Sequence, residues 1–406
     1  MANPENIATR PAGFASPTGA AAAAPALASS PVPTPVLLTA MLQTSSKISD
    51  LFLSPGKPPM VEINGRLAPT GPRALSADDT RRMASDLIGD NKNALAALRE
   101  QGSCDVSYSL PNSARFRVNI FMQRGSCAIV MRVIPSKIPD FVSLNLPAEL
   151  REIANLRNGV VLVTGPTGSG KSSTLAAIID LINQQQYYHI LTIEDPIEFL
   201  HSHKNCVVHQ RELHSDTPSF ALALRAALRQ APKVILVGEM RDKETIEIAL
   251  EAAETGHLVL STLHTIDASK SVERVIGVFP QNEQDMMRNR LAKTFRYIIS
   301  QRLIPRKDGS GRIAAMEILK STLRTREYVE KGEGDGKTLL DAMRVGGTEG
   351  MQYFDGEIEK LIRAGVIDFE TGMAYATNSG NLRLELSDVV AGEPDPLLET
   401  TPTASR

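Results

Sequence analysis

The sequence predicts an α/β protein whose larger part is a mostly parallel sheet covered by helices, preceded by a smaller α+β unit. Four continuous apolar runs, VVLVT at 160–164, HILTIE at 189–194, VILVGE at 234–239 and HLVLST at 257–262, alternate with helical patterns. Strands buried on both faces read in this unbroken way. The first run leads directly through a glycine-rich turn into a further apolar, helical stretch. Between about Pro35 and Lys137 no such alternation occurs, and shorter strand-like runs surround one helical segment.

Taken in order, residues 11–35 hold 9 Ala and 6 Pro and no charged side chain, a mixture with neither a repeating apolar face nor an uninterrupted helix. A disordered tail over 1–34 is expected. Over 35–137 the runs SDLFLS, PMVEING, ARFRVNIF and CAIVMRVIP read as strands. They enclose a helix near Ser76 to Gln101, with Asp78 and Asp79 in its first turn. The segment around Pro135, Pro139 and Pro147 reads as a linker over 138–150, and residues 151–390 as the parallel-sheet domain. Within that domain Thr217 and Pro218 open one helix, Asp242 caps another, and Gly256 ends the latter. The end, 391–406, with two acidic proline-adjacent turns and little to bury, reads as a second disordered tail.

With 406 residues the chain has room for two domains of ordinary size, or one large domain with tails, and for a dry core. Lys+Arg 44 against Asp+Glu 46 gives a net charge of −2, which argues against coating a nucleic acid backbone. Cys104, Cys127 and Cys206 are odd in number and widely spaced, so neither a disulfide framework nor a CxxC zinc site can be drawn and a reducing cytoplasm fits. No apolar run approaches the roughly 20 residues of a membrane span. Membrane contact is therefore expected to be peripheral.

The turn after the first strand, Gly165-Pro166-Thr167-Gly168-Ser169-Gly170-Lys171-Ser172 followed by Ser173, fits GxxxxGK[ST]. Glycines let backbone N–H groups turn inward around phosphate oxygens, and the helix N-terminus adds partial positive charge. Lys171 reaches the β- and γ-phosphates of ATP, and the Ser172 hydroxyl binds Mg²⁺. Glu239 ends the run VILVGE, at the carboxyl edge where ligands bind in an open α/β sheet. There a carboxylate holds Mg²⁺ through water or orients the attacking water; alternatively it is a solvated acid opening a loop. Glu194, in the acidic turn with Asp195 and Glu198, is the second candidate acid. His264 stands at the carboxyl end of its strand and His257 at the far end. For either alone, a hydrogen-bonded structural histidine is the plainer reading. His201 and His203 lack a third ligand and read as loop residues. Arg115, Arg117, Arg124 and Arg132 either stabilise charge on a transferring phosphoryl group across a boundary or form the charged outer face of a sheet.

The stretches GPTGSGKSSTLAAIIDLIN, YYHILTIEDPIEF, LRQAPKVILVGEMRDKETIEIALEAAETGHLVLSTLHT, VFPQNE and ISQRLIP resemble the type IV pilus retraction ATPases, the PilT/PilU group of secretion-type motor ATPases. The resemblance runs from about Ser49 to Leu386. It implies a PAS-like N-terminal domain on a RecA-like P-loop ATPase domain, with ATP between them, and a homo-hexameric ring. Gly165 to Ser172 are then Walker A; Glu194, Asp195 and Glu198 belong to the Asp box; Glu239 is the general base; His257 and His264 form the His box. Arg117 and Arg132 match positions that approach ATP. The resemblance also implies a cytoplasmic location peripheral to the inner membrane, a platform protein there, and a paralogous retraction ATPase as a further partner. Lys233 stands where the group usually has Asp, no Ala-Ile-Arg motif is recognisable near 323–347, and the stretch 350–386 resembles the PilU side. Alternatives from the same residues are a pilus-assembly or type II secretion ATPase, a nucleic-acid translocase, and a scaffold that binds ATP without turnover. The balanced charge and 4% aromatic content speak against the translocase.

Overall fold

A computed structural model describes residues 32–390 other than positions 112, 136 and 335, with side chains described to 388. The expected tails lie outside the described residues except for 32–34. Thr34 is already helical and buried, and its hydroxyl donates to Asp86 Oδ2 at 2.6 Å.

The first half comprises α1 (Thr34–Leu42), β1 (Ile48–Leu53), β2 (Met60–Ile63), β3 (Arg66–Pro69), α2 (Ala77–Ile88), α3 (Lys92–Glu100), β4 (Ser103–Leu110), β5 (Ala114–Gln123) and β6 (Ser126–Ile134). Its strands form an antiparallel sheet in the order β3-β2-β1-β6-β5-β4. The single helix expected over 76–101 is two. A capping box of Ser76 and Asp79 starts α2, Gly89 ends it at φ +54, and the Asn91 side chain restarts the helix by accepting from Ala94 N. Met83 and Leu87 of α2 pack with Leu51, Phe116 and Met131 from one face of the sheet.

The second half begins with a 3₁₀ turn at Ala148–Asn155. It continues through β7 (Gly159–Thr164), α4 (Lys171–Gln185), β8 (His189–Glu194), β9 (Val207–Glu212), α5 (Phe220–Ala227), β10 (Val234–Val237), α6 (Lys243–Glu254), β11 (Leu258–Leu263), α7 (Ala268–Gly277), α8 (Gln281–Thr294), β12 (Phe295–Pro305) and β13 (Arg312–Lys320). The sheet order is β13-β12-β7-β11-β10-β8-β9, parallel throughout except for β13, which returns antiparallel to β12. The four strands expected from their apolar runs occupy its centre, where both faces are covered by separate cores. Strand β10 stops at Val237, which leaves Glu239 in the loop beyond. Ser219, rather than Thr217, caps α5.

The proline-rich segment 138–150 is packed, not free. Phe141, Leu146 and Leu150 are buried with Val161 and Ile178 on one face of the second sheet. After β13 come α9 (Leu323–Lys331), α10 (Leu339–Val345), α11 (Phe354–Arg363), α12 (Phe369–Tyr375), α13 (Ser379–Glu385) and α14 (Ser387–Val390). The later helices share a small core with the β12–β13 hairpin, in which Phe354, Ile358, Leu382 and Leu386 meet Ile304 and Ile313. The Arg302 guanidinium lies 3.8 Å from the centre of the Phe354 ring and donates to Tyr375 O at 2.7 Å.

Candidate nucleotide-binding site

Because β7, β8, β10 and β11 run parallel, the loops that leave their carboxyl ends share one edge of the sheet. One of them is the turn from β7 to α4, residues 165–170. Gly165, Gly168 and Gly170 have φ of +142°, +77° and +91°, where side chains are strained. Space adds a second demand at two of them: a Cβ on Gly165 would lie 2.4 Å from the Gln301 carbonyl oxygen, and one on Gly170 would lie 2.8 Å from Gln301 Nε2. Gln301, on β12, is itself held by Thr174 Oγ1 of α4 at 2.9 Å. The neighbouring strand thus backs the turn.

Inside the turn Ser169 Oγ is buried and, among the described residues, has no hydrogen-bond partner. Lys171 Nζ donates to the carbonyls of Gly165 at 2.9 Å and Pro166 at 3.1 Å. Burial pulls the Lys171 ammonium below its usual range, and the charges of Glu239 and Glu198 act in the opposite sense. An unpartnered hydroxyl, a helix N-terminus and a buried cation in one turn form a receptor for phosphate oxygens.

Facing the turn is Glu239. Its Oε1 lies 2.6 Å from Arg241 Nε, and its Oε2 lies 3.3 Å from His264 Nε2. Burial pushes this carboxyl up, yet the hydrogen bond from Arg241 and the charges of His264 and Arg241 outweigh it and hold the group below its usual range. Glu194 behaves oppositely. Burial raises its pKa despite hydrogen bonds from Thr192 Oγ1 at 2.5 Å and Gln210 Nε2 at 3.0 Å. Two acids with opposite tendencies therefore stand on one cleft.

That cleft, of about 760 Å³, is lined by Thr167, Gly168, Gly170, Lys171, Ser172 and Ser173 on one side and by Glu194, Asp195, Glu198, Glu239 and His264 on the other. Ser172 and Glu239 thus share one cavity. Among the described residues no group of three or more His, Cys, Asp or Glu could hold a metal ion. A hydroxyl, one carboxylate and waters are nevertheless the kind of set that binds Mg²⁺ beside a nucleotide.

Outside the phosphate turn, three residues that the resemblance assigns to the site are not brought to the cleft. His257 stands at the opposite end of β11, where its Nδ1 meets Ala252 O at 2.9 Å. Arg117 and Arg132 are cross-strand partners on the exposed face of the first sheet, and Arg132 Nε donates to Asp50 Oδ1 at 2.9 Å. Conversely, Arg241 and Arg312 line the cleft without having been singled out, and so does His201, which the sequence reads as a loop residue. Arg241 could have been found from its place two residues beyond Glu239. His201 could not, because it enters the cleft only through the path of the loop between β8 and β9. Burial holds its ring near pKa about 4, hence neutral. His203 makes no metal pair with it, since its Nδ1 accepts from Val208 N at 3.0 Å.

The profile of the Type II/IV secretion system protein family matches residues 72–365. The chain is 44% identical over 341 residues to the "Type IV pilus retractation ATPase PilT" of Pseudomonas aeruginosa, covering 84% of this chain and 98% of that protein. It is 39% identical over 336 residues to the "Type IV pilus ATPase PilU" of the same organism, covering 83% and 87%. Among solved structures, the crystal structure of the pilus retraction motor PilT with bound ADP superposes with a TM-score of 0.74 at 41% identity, over 85% of this chain and 97% of that one.

Proposed function

This chain belongs to the Type II/IV secretion system protein family and is a PilT/PilU-like ATPase, and from that premise we propose that it works as a homo-hexameric motor of type IV pilus retraction. It hydrolyses Mg²⁺-bound ATP at the cytoplasmic face of the inner membrane and acts there on a platform protein of the pilus machinery. The observation that carries this reading is the convergence in one cleft of the phosphate-binding turn with Glu239, Glu194 and His264. Among the described residues no helix is long and apolar enough to cross a membrane, which suits peripheral attachment.

In this reading Lys171 exchanges the carbonyls of Gly165 and Pro166 for phosphate oxygens, and the buried Ser169 hydroxyl gains a partner. Glu239, held low enough to be ionised at neutral pH, accepts the proton of the attacking water. His264 fixes the orientation of that carboxylate. Ser172 and Glu239 would hold Mg²⁺, which supplies charge neutralisation between the phosphates. Glu194 stays beside them in the acidic turn.

Phosphate release by the purified protein, measured with and without Mg²⁺, tests the chemistry. Lys171→Ala should weaken nucleotide binding, whereas Glu239→Gln should retain binding and lose turnover by a factor of about 10² or more. Wild-type turnover in the Glu239 variant would show that the base is another group. In cells, Glu239→Gln should leave pili extended and abolish withdrawal and surface movement, scored with and without a paralogous retraction ATPase. Loss of pili in both backgrounds would point instead to an assembly ATPase.

A further inference from the structure

Glu212, the last residue of β9, is only 3% exposed, yet it lies outside the nucleotide cleft. A carboxylate this deeply placed must be satisfied by donors, and here they come from three separate places. Ser107 Oγ of β4 donates to Oε1. Arg115 Nη2 of β5 donates to Oε2 at 3.1 Å, and the backbone N–H of Ile197 donates to the same oxygen at 3.1 Å. Two of these donors belong to the first sheet. The third belongs to the acidic turn that follows β8 and presents Glu194, Asp195 and Glu198 to the nucleotide cleft.

Register explains the meeting. Parallel pairing sets Glu212 directly beside Glu194, so β9 ends at the same edge as the turn it supports. Gln210, two residues earlier and on the same face, donates to Glu194 Oε1 and to Phe199 O, at 3.0 and 2.9 Å. One strand thus fastens the acidic turn at both ends. Close by, the halves stand apart around a cleft of about 480 Å³ lined by Leu87, Asn91, Val106, Ser107, His214 and Ser215. Local contacts beside an open cleft leave room for one half to shift against the other.

We propose that Glu212 is a positioning residue through which the placement of the first sheet, sensed by Ser107 and Arg115, sets the acidic turn at the nucleotide site. The inference rests on the functional reading above and names how that site is controlled. When the first sheet moves away, Glu212 loses the Ser107 hydroxyl and the Arg115 charge and opens to solvent, so that water competes for the oxygen that holds Ile197 N–H. The turn then relaxes, and Glu194 and Glu198 leave their places in the cleft. Hydrolysis is in this way confined to the arrangement in which both halves are docked.

The test uses the full-length protein in two assays. Arg115→Met should accelerate amide hydrogen exchange at Ile197 about tenfold, about the weight of one charge-assisted hydrogen bond. It should also lower kcat by a similar factor while the KM for ATP stays within about twofold. Arg115→Lys should recover much of the loss, and Ser107→Ala should show the same pattern more weakly. Combined with Glu212→Gln, the Arg115→Met change should add little, because both remove one joint. Unchanged exchange at Ile197, or losses that multiply in the double variant, would overturn the proposal, as would a lowered melting temperature with unchanged kcat. Exchange is read without turnover, so wild-type activity in Glu239→Gln would count against the functional reading alone. Should Glu212→Gln fail to fold, the Arg115 and Ser107 variants still decide the outcome.

Discussion

Gly165→Ala should disable the nucleotide site by displacing the phosphate turn, and the structure sets the size of the effect. The added Cβ would lie 2.4 Å from the Gln301 carbonyl oxygen and 2.7 Å from Ser169 Oγ. Ordinary carbon contacts begin near 3.5 Å, so the turn must move by about 1 Å. The carbonyl is held by its strand, because Gln301 pairs with Met316 of β13 and the preceding Ser300 pairs with Thr164 of β7. The φ of +142° adds a conformational cost of about 1–3 kcal/mol for any side chain. A misplacement of about 1 Å is enough to cost about 10² in rate. Gly168→Ala is the matched control: its φ is +77°, but nothing lies within 4 Å of the new Cβ, so it should cost about 1 kcal/mol and no displacement. Titration with a fluorescent ADP and measurement of phosphate release compare the two. Gly165→Ala should lose most binding and nearly all turnover, and Gly168→Ala should lose less than about tenfold in either. Equal behaviour of the two variants would refute the assignment of close packing between Gln301 and the turn.

Glu317 and the cysteines supply two further predictions. Burial raises the Glu317 carboxyl to about 7, with Asp267 pushing the same way and Ala268 N–H, Arg302 and Ser300 opposing. Between about pH 4.5 and 7 the folded protein holds a proton that the unfolded chain has released, so this group's contribution to stability falls as pH rises through that window. Glu317→Gln, which has no such proton to lose, should gain on wild type between pH 5 and pH 8 by on the order of 3 kcal/mol; the same difference in melting temperature at both pH values would refute this. Cys104, Cys127 and Cys206 are all buried, and burial pushes the Cys104 and Cys206 thiols up. A thiol reagent at pH 8 should therefore modify the native protein slowly and all three sites at once in denaturant, so a fast-reacting thiol in the native protein would contradict the packing.

What the sequence determined by itself is what consecutive residues can encode. The phosphate turn was legible because its glycines, Lys171 and Ser172 are neighbours in the chain and sit between a strand and a helix. The central strands were legible because burial on both faces leaves an unbroken apolar run. Glu194, Glu239 and His264 could be named because the ends of parallel strands share one edge, whatever the order of the strands between them. The edge strands were not visible in the same way: β9 reads VVHQRE and pairs on one side only, so its apolar signal is diluted. Only the tertiary structure decided that His257 points away from the cleft, that Arg241 and His264 grip the same carboxylate, and that Phe141 and Leu146 anchor the proline-rich segment. It also decided the burial of Glu212. That carboxylate meets Ser107, 105 positions away, and Arg115, 97 positions away. Such pairings depend on how two sheets dock, and no local periodicity records a contact whose partners lie in separate halves of the chain.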